Sequence, residues 1–261
     1  MPSALFEFFE LVAGELSSVE PTVITPESLK AKGKESSLLE DLNREMGVSS
    51  TEEAIKSAVD ELQKHFRAKG AILPFEYDPE TARFMVTDSD FLAFIRKMNS
   101  IRSEPRRSHD FECIVAERFV HRATGSIHRV GHPRDKKKTK KAFNSYLATL
   151  GFAQTVLFGK EKDGGLDILW LLPIGSIGLR PIVAVQCKNG LFNMDDADKS
   201  IGACSRSLGQ YGGLLERVHV SCVLFNDYIY PKILPRKQLN FVPLGLTDLA
   251  PLEKKIFVQL I

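Results

Sequence analysis

Three polar side chains stand at the ends of two otherwise apolar segments in the second half of the chain. Asp167 lies near the start of the segment LDILWLL, and Gln186 and Lys188 lie at the end of RPIVAVQCK. Strand periodicity places Gln186 and Lys188 on one face of the second segment. A hairpin centred in residues 175–178 then places Asp167 opposite Gln186, with Cβ atoms roughly 4.5–5.5 Å apart. The sequence therefore predicts that a carboxylate, an amide and an ammonium group converge on one small patch.

This combination of groups suits the hydrolysis of a phosphodiester. Mg²⁺ prefers oxygen ligands in octahedral geometry, and Asp167, the Gln186 amide and the backbone carbonyl of Cys187 can supply three of them. The metal lowers the pKa of a water molecule and stabilises charge in the transition state. Lys188 would orient that water or neutralise the developing charge. We expect Mg²⁺ as the cofactor, with Mn²⁺ able to replace it.

The same segments also have plainer interpretations. The strand pair would then be a structural hairpin whose amide and ammonium groups are merely solvated. Cys187 is interpreted as a small buried residue, because no histidine stands at a convincing position beside it. His128 and His132 are four residues apart, but Gly131 and Pro133 disfavour the helix that would bring them to one metal. They are interpreted as loop histidines near phosphate.

The segments Asp163-Gly164-Gly165-Leu166-Asp167 and Gln186-Cys187-Lys188 resemble the two halves of the motif of the PD-(D/E)xK nuclease superfamily. The resemblance is to the Mrr-like restriction endonucleases, in which glutamine often replaces the second acid and a Gly-Gly-hydrophobic-Asp element precedes it. It covers about residues 108–230. It implies Asp167, Gln186 and Lys188 as catalytic residues of a Mg²⁺-dependent endonuclease that cuts DNA, as a restriction or defence enzyme.

Members of that family usually add an acidic residue from the helix before the sheet. Phe111-Glu112 resembles the Phe-Glu pair of that helix, so the resemblance implies Glu112 as a further metal ligand. Glu117 is the alternative. The sequence departs from the family here, because a second helix intervenes and its Phe143-Asn144 carries no acid.

Basic residues are concentrated in the middle of the chain. Residues 1–100 contain 11 Lys and Arg against 18 Asp and Glu, a net charge of −7, whereas residues 101–145 contain 12 against 5, a net charge of +7. A solvated surface segment is the plain interpretation, but such a concentration also suits a polyanionic partner that meets one face. The predicted contacts to the DNA backbone are Arg134, Lys136, Lys137, Lys138, Lys140 and Lys141.

The first part of the chain is predicted to be a small, mostly helical domain that contains a hairpin. An amphipathic helix lies within residues 1–20, which carry acidic residues and no basic leader and therefore do not form a secretory signal. A short helix at 38–46 is followed by a longer one that Ser50 opens and Gly70 ends. A hairpin around 78–81 and another helix complete the unit.

The rest of the chain is predicted to be a restriction-endonuclease-like α/β domain, a mixed sheet flanked by helices. The charged segment RSEPRRSHD marks the boundary, which gives domains at 1–104 and 105–261. The apolar periodicity predicts helices at 109–123, 140–150 and 196–210, and strands at 153–158, 166–172, 180–188 and 219–225.

DNA is the expected partner, a cytoplasmic location is expected, and no apolar run is long enough to span a bilayer. One site per chain favours a two-fold homodimer for cutting both strands. The N-terminal domain would serve dimerisation, regulation or substrate recognition, and its residues Phe6, Phe8, Phe9, Phe91 and Phe94 suit a protein contact. Two other functions stay open: a catalytically inactive nuclease-fold DNA-binding protein, and a protein-interaction module.

Overall fold

The computed structural model describes residues 4–18, 25, 35–102, 108–122, 125–130, 135–151, 166–173, 182–190, 195, 198–199, 202, 219–226 and 241–250. The predicted strand at 153–158 and nearly all of the predicted helix at 196–210 lie outside these ranges. Up to residue 249, the chain divides into two compact units between Ser103 and Glu104. No helix within the described ranges is long and apolar enough to cross a membrane.

The first unit contains the helices and the hairpin that were predicted. Its elements are α1 (Ala4–Leu16), α2 (Glu35–Met46), α3 (Thr51–Ala68), β1 (Phe75–Asp78), β2 (Arg83–Val86) and α4 (Ser89–Arg102). Ser50 caps α3, because its side chain accepts a hydrogen bond of 3.2 Å from the backbone N–H of Glu53. In the hairpin turn, the Asp78 carboxylate accepts a hydrogen bond of 2.9 Å from the backbone N–H of Glu80.

Phenylalanine rings form the core of the first unit. The rings of Phe9 and Phe66 lie 5.4 Å apart and those of Phe66 and Phe91 6.1 Å apart, measured between centroids. Phe8, Phe9 and Phe91 are completely buried, and Phe94 is 6% exposed. The interpretation of these four residues as a surface for a protein partner is therefore wrong, since their rings pack inside the unit's own core. The number of phenylalanine residues in the sequence does not by itself show whether their rings lie in the core or on the surface.

The second unit is a mixed α/β structure, which confirms the predicted mixed sheet with helices. Its elements are α5 (Ser108–Arg122), β3 (Ser126–Arg129), α6 (Lys136–Thr149), β4 (Ile168–Leu171), β5 (Ile182–Lys188), β6 (His219–Phe225), β7 (Phe241–Leu244) and a 3₁₀ helix (Leu246–Leu249). The strand order is β3-β4-β5-β6-β7. The pairs β3–β4 and β4–β5 are antiparallel, whereas β5–β6 and β6–β7 are parallel.

Two helices cover opposite faces of this sheet. Phe143 and Leu147 of α6 pack against side chains that alternate along β4 and β5, namely Leu169, Leu171, Ile182 and Ala184. On α5, the ring of Phe119 lies 5.6 Å from the ring of Trp170, whose side chain points the other way from Leu169. By the same alternation, Gln186 and Lys188 belong to the face that α6 covers.

Strand β3 was not predicted, although it borders the candidate site. The glycine before it, Gly125, has φ of +95°, and a Cβ built there would lie 2.2 Å from the carbonyl oxygen of Leu171. Only glycine allows β3 to approach β4 this closely. Four residues give too short a pattern for the sequence to reveal such a strand.

The contact between α6 and the sheet predicts a specific loss of stability. Phe143→Ala should lower the free energy of unfolding by about 3–5 kcal/mol, because it leaves a cavity beneath the helix. Lys141→Ala, at an exposed position of the same helix, should change it by less than about 0.5 kcal/mol. Urea unfolding followed by the fluorescence of Trp170, the only tryptophan, measures both. Equal effects of the two substitutions would show that α6 does not pack as described.

Candidate functional site

The two strands that carry the predicted triad pair as the sequence indicated. Ile168 lies opposite Val185, and Leu169 lies opposite Ala184. The sequence also predicted that Asp167 lies opposite Gln186, but this pair is not part of the ladder, because the Asp167 N–H donates to the Val185 carbonyl instead. The regular ladder ends at this point, where Asp167 bonds to β5 through both its backbone and its side chain.

Asp167 is buried between β5 and the end of β3. Its side chain is shielded, with the residue only 8% exposed. Its carboxylate Oδ2 accepts a hydrogen bond of 2.7 Å from the backbone N–H of Cys187. Its backbone N–H donates to the carbonyl of Val185 (3.1 Å), and its own carbonyl accepts from the N–H of Val130 (2.8 Å). The carboxylate is thus held at one place by its neighbouring strands.

Gln186 carries a buried oxygen atom with no hydrogen-bond partner. The residue as a whole is half-buried. Its Oε1 is shielded from solvent, and no group in the described part of the chain donates to it. Buried oxygen atoms are almost always satisfied in proteins, so an orphaned one calls for a partner beyond the described residues. A cation held jointly with the Asp167 carboxylate would be such a partner.

Lys188 is fixed at its backbone by the strand beside it. Its carbonyl accepts hydrogen bonds of 2.9 Å from the N–H groups of Gly190 and Asn226. Asn226, which is 1% exposed, also donates from Nδ2 to the Asn189 Oδ1 over 2.6 Å. The sequence reasoning missed this asparagine pair. The available signal was a polar residue directly after β6, at the same edge as the end of its parallel neighbour β5.

The thiol of Cys187 is protonated and unreactive. Burial raises its pKa well above the usual value, and the negative charges of Asp167 and Glu112 raise it further. A thiol acts as a nucleophile only as the thiolate. This agrees with the interpretation of Cys187 as a buried structural residue, which leaves its backbone carbonyl as the group of interest.

The two candidate helix acids, Glu112 and Glu117, lie on α5. The Oε2 of Glu112 lies 3.5 Å from the Nδ1 of His109. The negative charge of Glu112 also raises the pKa of the Cys187 thiol. Glu117 is exposed. Among the described residues, no three histidine, cysteine, aspartate or glutamate side chains are grouped as a metal site. The predicted metal site consists of one carboxylate, one side-chain amide and one backbone carbonyl, so it would not form a group of three such side chains.

The helix α6 contains all five lysines of the predicted basic segment, of which the sequence placed the first three in a loop before the helix. The helix α6 begins at Lys136, whereas the sequence placed its start at Lys140. The lysines at 137, 138, 140 and 141 are exposed, and Arg134 lies outside the described residues. The residue before the helix, Asp135, forms an ion pair of 3.1 Å with Arg129 and makes no side-chain cap.

His128 lies on β3, so its interpretation as a loop residue is wrong. It is half-buried, its Nε2 is shielded and lacks a hydrogen-bond partner among the described groups, and burial lowers the pKa of its imidazole. The ring is therefore neutral at pH 7. His132, which the sequence paired with it, lies outside the described residues.

Comparisons of the chain with protein-family models, with curated proteins and with solved structures find no match in any of the three. Function is therefore inferred from the residues and their geometry.

The burial of Cys187 predicts how the thiols of the native protein react. A thiol reagent at pH 8 should modify Cys113, which is partly exposed, and should leave Cys187 and Cys222 unmodified. Peptide mass spectrometry after labelling in native buffer and in urea measures this, since all of these thiols should react once the chain is unfolded. Rapid labelling of Cys187 in native buffer would contradict its placement.

Proposed function

We propose that this protein is a Mg²⁺-dependent endonuclease that hydrolyses DNA phosphodiester bonds. One observation carries the proposal: the orphaned Oε1 belongs to Gln186, the residue directly before Cys187, whose backbone N–H holds the buried carboxylate of Asp167. Lys188 follows two residues later on the same face. A carboxylate, a neutral oxygen and an ammonium group at one strand end suit phosphoryl chemistry better than they suit a structural hairpin.

The residues fit a hard divalent cation. The carboxylate of Asp167, the Oε1 of Gln186 and the carbonyl of Cys187 would hold Mg²⁺, which prefers oxygen ligands. Mn²⁺ would replace it. When bound, the ion supplies Lewis acidity and lowers the pKa of water. Glu112 is the sequence-derived candidate for a further contact, and its negative charge acts on the Cys187 thiol together with that of Asp167.

The side chains of the site divide the work between them. The N–H of Cys187 holds the Asp167 carboxylate in one orientation, so no reorganisation is needed when the substrate arrives. Lys188 places a positive charge where negative charge develops on the phosphate.

The basic helix α6 supplies the binding surface for DNA. Its exposed lysines precede the residues that pack on the sheet, so the charged start of the helix and the candidate site belong to the same unit. We infer a restriction or defence role and a two-fold dimer, since one site per chain cuts one strand. A second candidate function, a catalytically inactive DNA-binding protein of the same fold, is favoured by Gln186 in place of an acid.

Cleavage should depend on the metal and on the charge of Asp167. Pure protein should nick or linearise plasmid in Mg²⁺ or Mn²⁺ and stop in excess EDTA. Asp167→Asn keeps an oxygen for the Cys187 amide and removes the charge, and should slow cleavage at least about 100-fold. Lys188→Ala should have a similar effect, whereas Gln186→Glu should retain part of the activity that Gln186→Ala loses.

Asp198→Asn is the matched control, since it removes an exposed carboxylate from the same unit and should cleave normally. Cleavage that persists in EDTA, or an Asp167→Asn variant that cleaves at the wild-type rate, would contradict the assignment of Asp167 to a metal-dependent active site. Salt-sensitive DNA binding without any metal-dependent cleavage would favour the inactive DNA-binding protein.

The lysines of α6 should set the salt dependence of DNA binding. Their replacement by glutamine should reduce the slope of log K against log salt by about 0.9 for each phosphate that the helix no longer neutralises, for every sequence alike. The residues to change together are Lys137, Lys138, Lys140 and Lys141. Fluorescence anisotropy in EDTA measures the slope.

Four exposed basic residues of the acidic first unit give a charge-matched control whose slope should not change. These are Lys64, Arg67, Arg96 and Lys97. An unchanged slope in the α6 variant, or equal changes in both, would show that α6 is an ordinary solvated surface.

A further inference from the structure

A cavity of about 380 Å³ lies beside β3, between α5 and the first turns of α6. Cavities of about 300–1,000 Å³ are the size that small ligands occupy. Arg129 contributes to its wall, and the neighbouring Val130 N–H donates a hydrogen bond of 2.8 Å to the carbonyl of Asp167. The cavity therefore shares the strand that holds the candidate catalytic carboxylate.

One part of the wall carries two cations. The Arg129 guanidinium is one-third exposed, at 33%, and is held by hydrogen bonds to the Asp135 Oδ2 (3.1 Å) and the Cys113 Sγ (2.8 Å). Lys138 is exposed and forms no ion pair with any described residue. A guanidinium held in a fixed orientation and a free ammonium group are a common combination for binding phosphate.

The rest of the wall contains the carboxylate of Glu117 and an apolar patch. It contains Ala116, Val120 and Ile127, and the neutral ring of His128 lies beside them. Val120 is 56% exposed, which is unusual for a large apolar side chain on a cavity wall. Phosphate alone would leave this surface in water, whereas a nucleobase would cover it.

We propose that this cavity binds one nucleotide unit of the nucleic-acid substrate. Its phosphate lies against Arg129 and Lys138, and its base covers Val120 and Ile127. The inference rests on the proposed function, because a cavity one strand away from Asp167 suits a nucleotide next to the bond that is cut. It assigns to β3 and α5 a part in substrate binding next to the backbone contacts of α6, and Lys138 belongs to both surfaces.

Binding of a deoxynucleoside 5′-monophosphate to the full chain in EDTA, measured by isothermal titration, tests this without any cleavage. Wild type should bind it saturably and more tightly than inorganic phosphate. Lys138→Gln removes one charged partner of the phosphate, and should weaken the binding of mononucleotide and phosphate alike by about tenfold. Val120→Ser should weaken the mononucleotide and leave phosphate unchanged. Both positions are exposed, so the variants should fold.

Lys199→Gln and Ile72→Ser are the controls, as exposed residues of the same types away from the cavity, and should bind like wild type. No saturable binding, equal affinity for inorganic phosphate, or equal losses in the control variants would overturn the proposal. Because the assay contains no metal, those results leave metal-dependent cleavage intact. Conversely, saturable mononucleotide binding would still support the cavity proposal if the protein did not cleave DNA.

Discussion

The hydrogen bond from the Cys187 amide to the Asp167 carboxylate joins β4 to β5 where their backbone ladder ends. The residue Asp167 is only 8% exposed, so its carboxylate has lost most of its hydration. Fixed donors must therefore compensate its charge. The backbone bonds of Asp167 to Val130 and Val185 add the neighbouring strands to the same anchor. Asp167 therefore cannot turn without breaking bonds that hold the strand ends together.

The anchored carboxylate determines the surroundings of the next two polar side chains. Gln186, the residue before Cys187, has a shielded oxygen that nothing in the described chain satisfies, a cost of about 1–3 kcal/mol. Proteins accept such costs at functional sites more readily than elsewhere. A divalent cation between the carboxylate and the amide would remove the cost, and Asn226 holds the backbone of Lys188 close by.

The sequence predicted those features that depend on short-range patterns. The cap at Ser50, the helix behind it and the antiparallel pairing of β4 with β5 all follow from local periodicity and turn residues. It missed features that depend on distant partners. Strand β3 requires a close approach at Gly125 and pairing with β4. The face of the sheet that α5 covers depends on its docking, so Phe111-Glu112 could not show where its acid would lie.

The most direct test of the metal site locates the ion. Crystals of the full chain grown with Mn²⁺ and a cleavage-resistant phosphorothioate oligonucleotide would be measured at the manganese absorption edge. We predict an anomalous peak in contact with both the Asp167 carboxylate and the Gln186 Oε1, and its loss in Asp167→Asn. The metal site is contradicted if that place holds no manganese and the Gln186 Oε1 instead accepts a hydrogen bond from the protein.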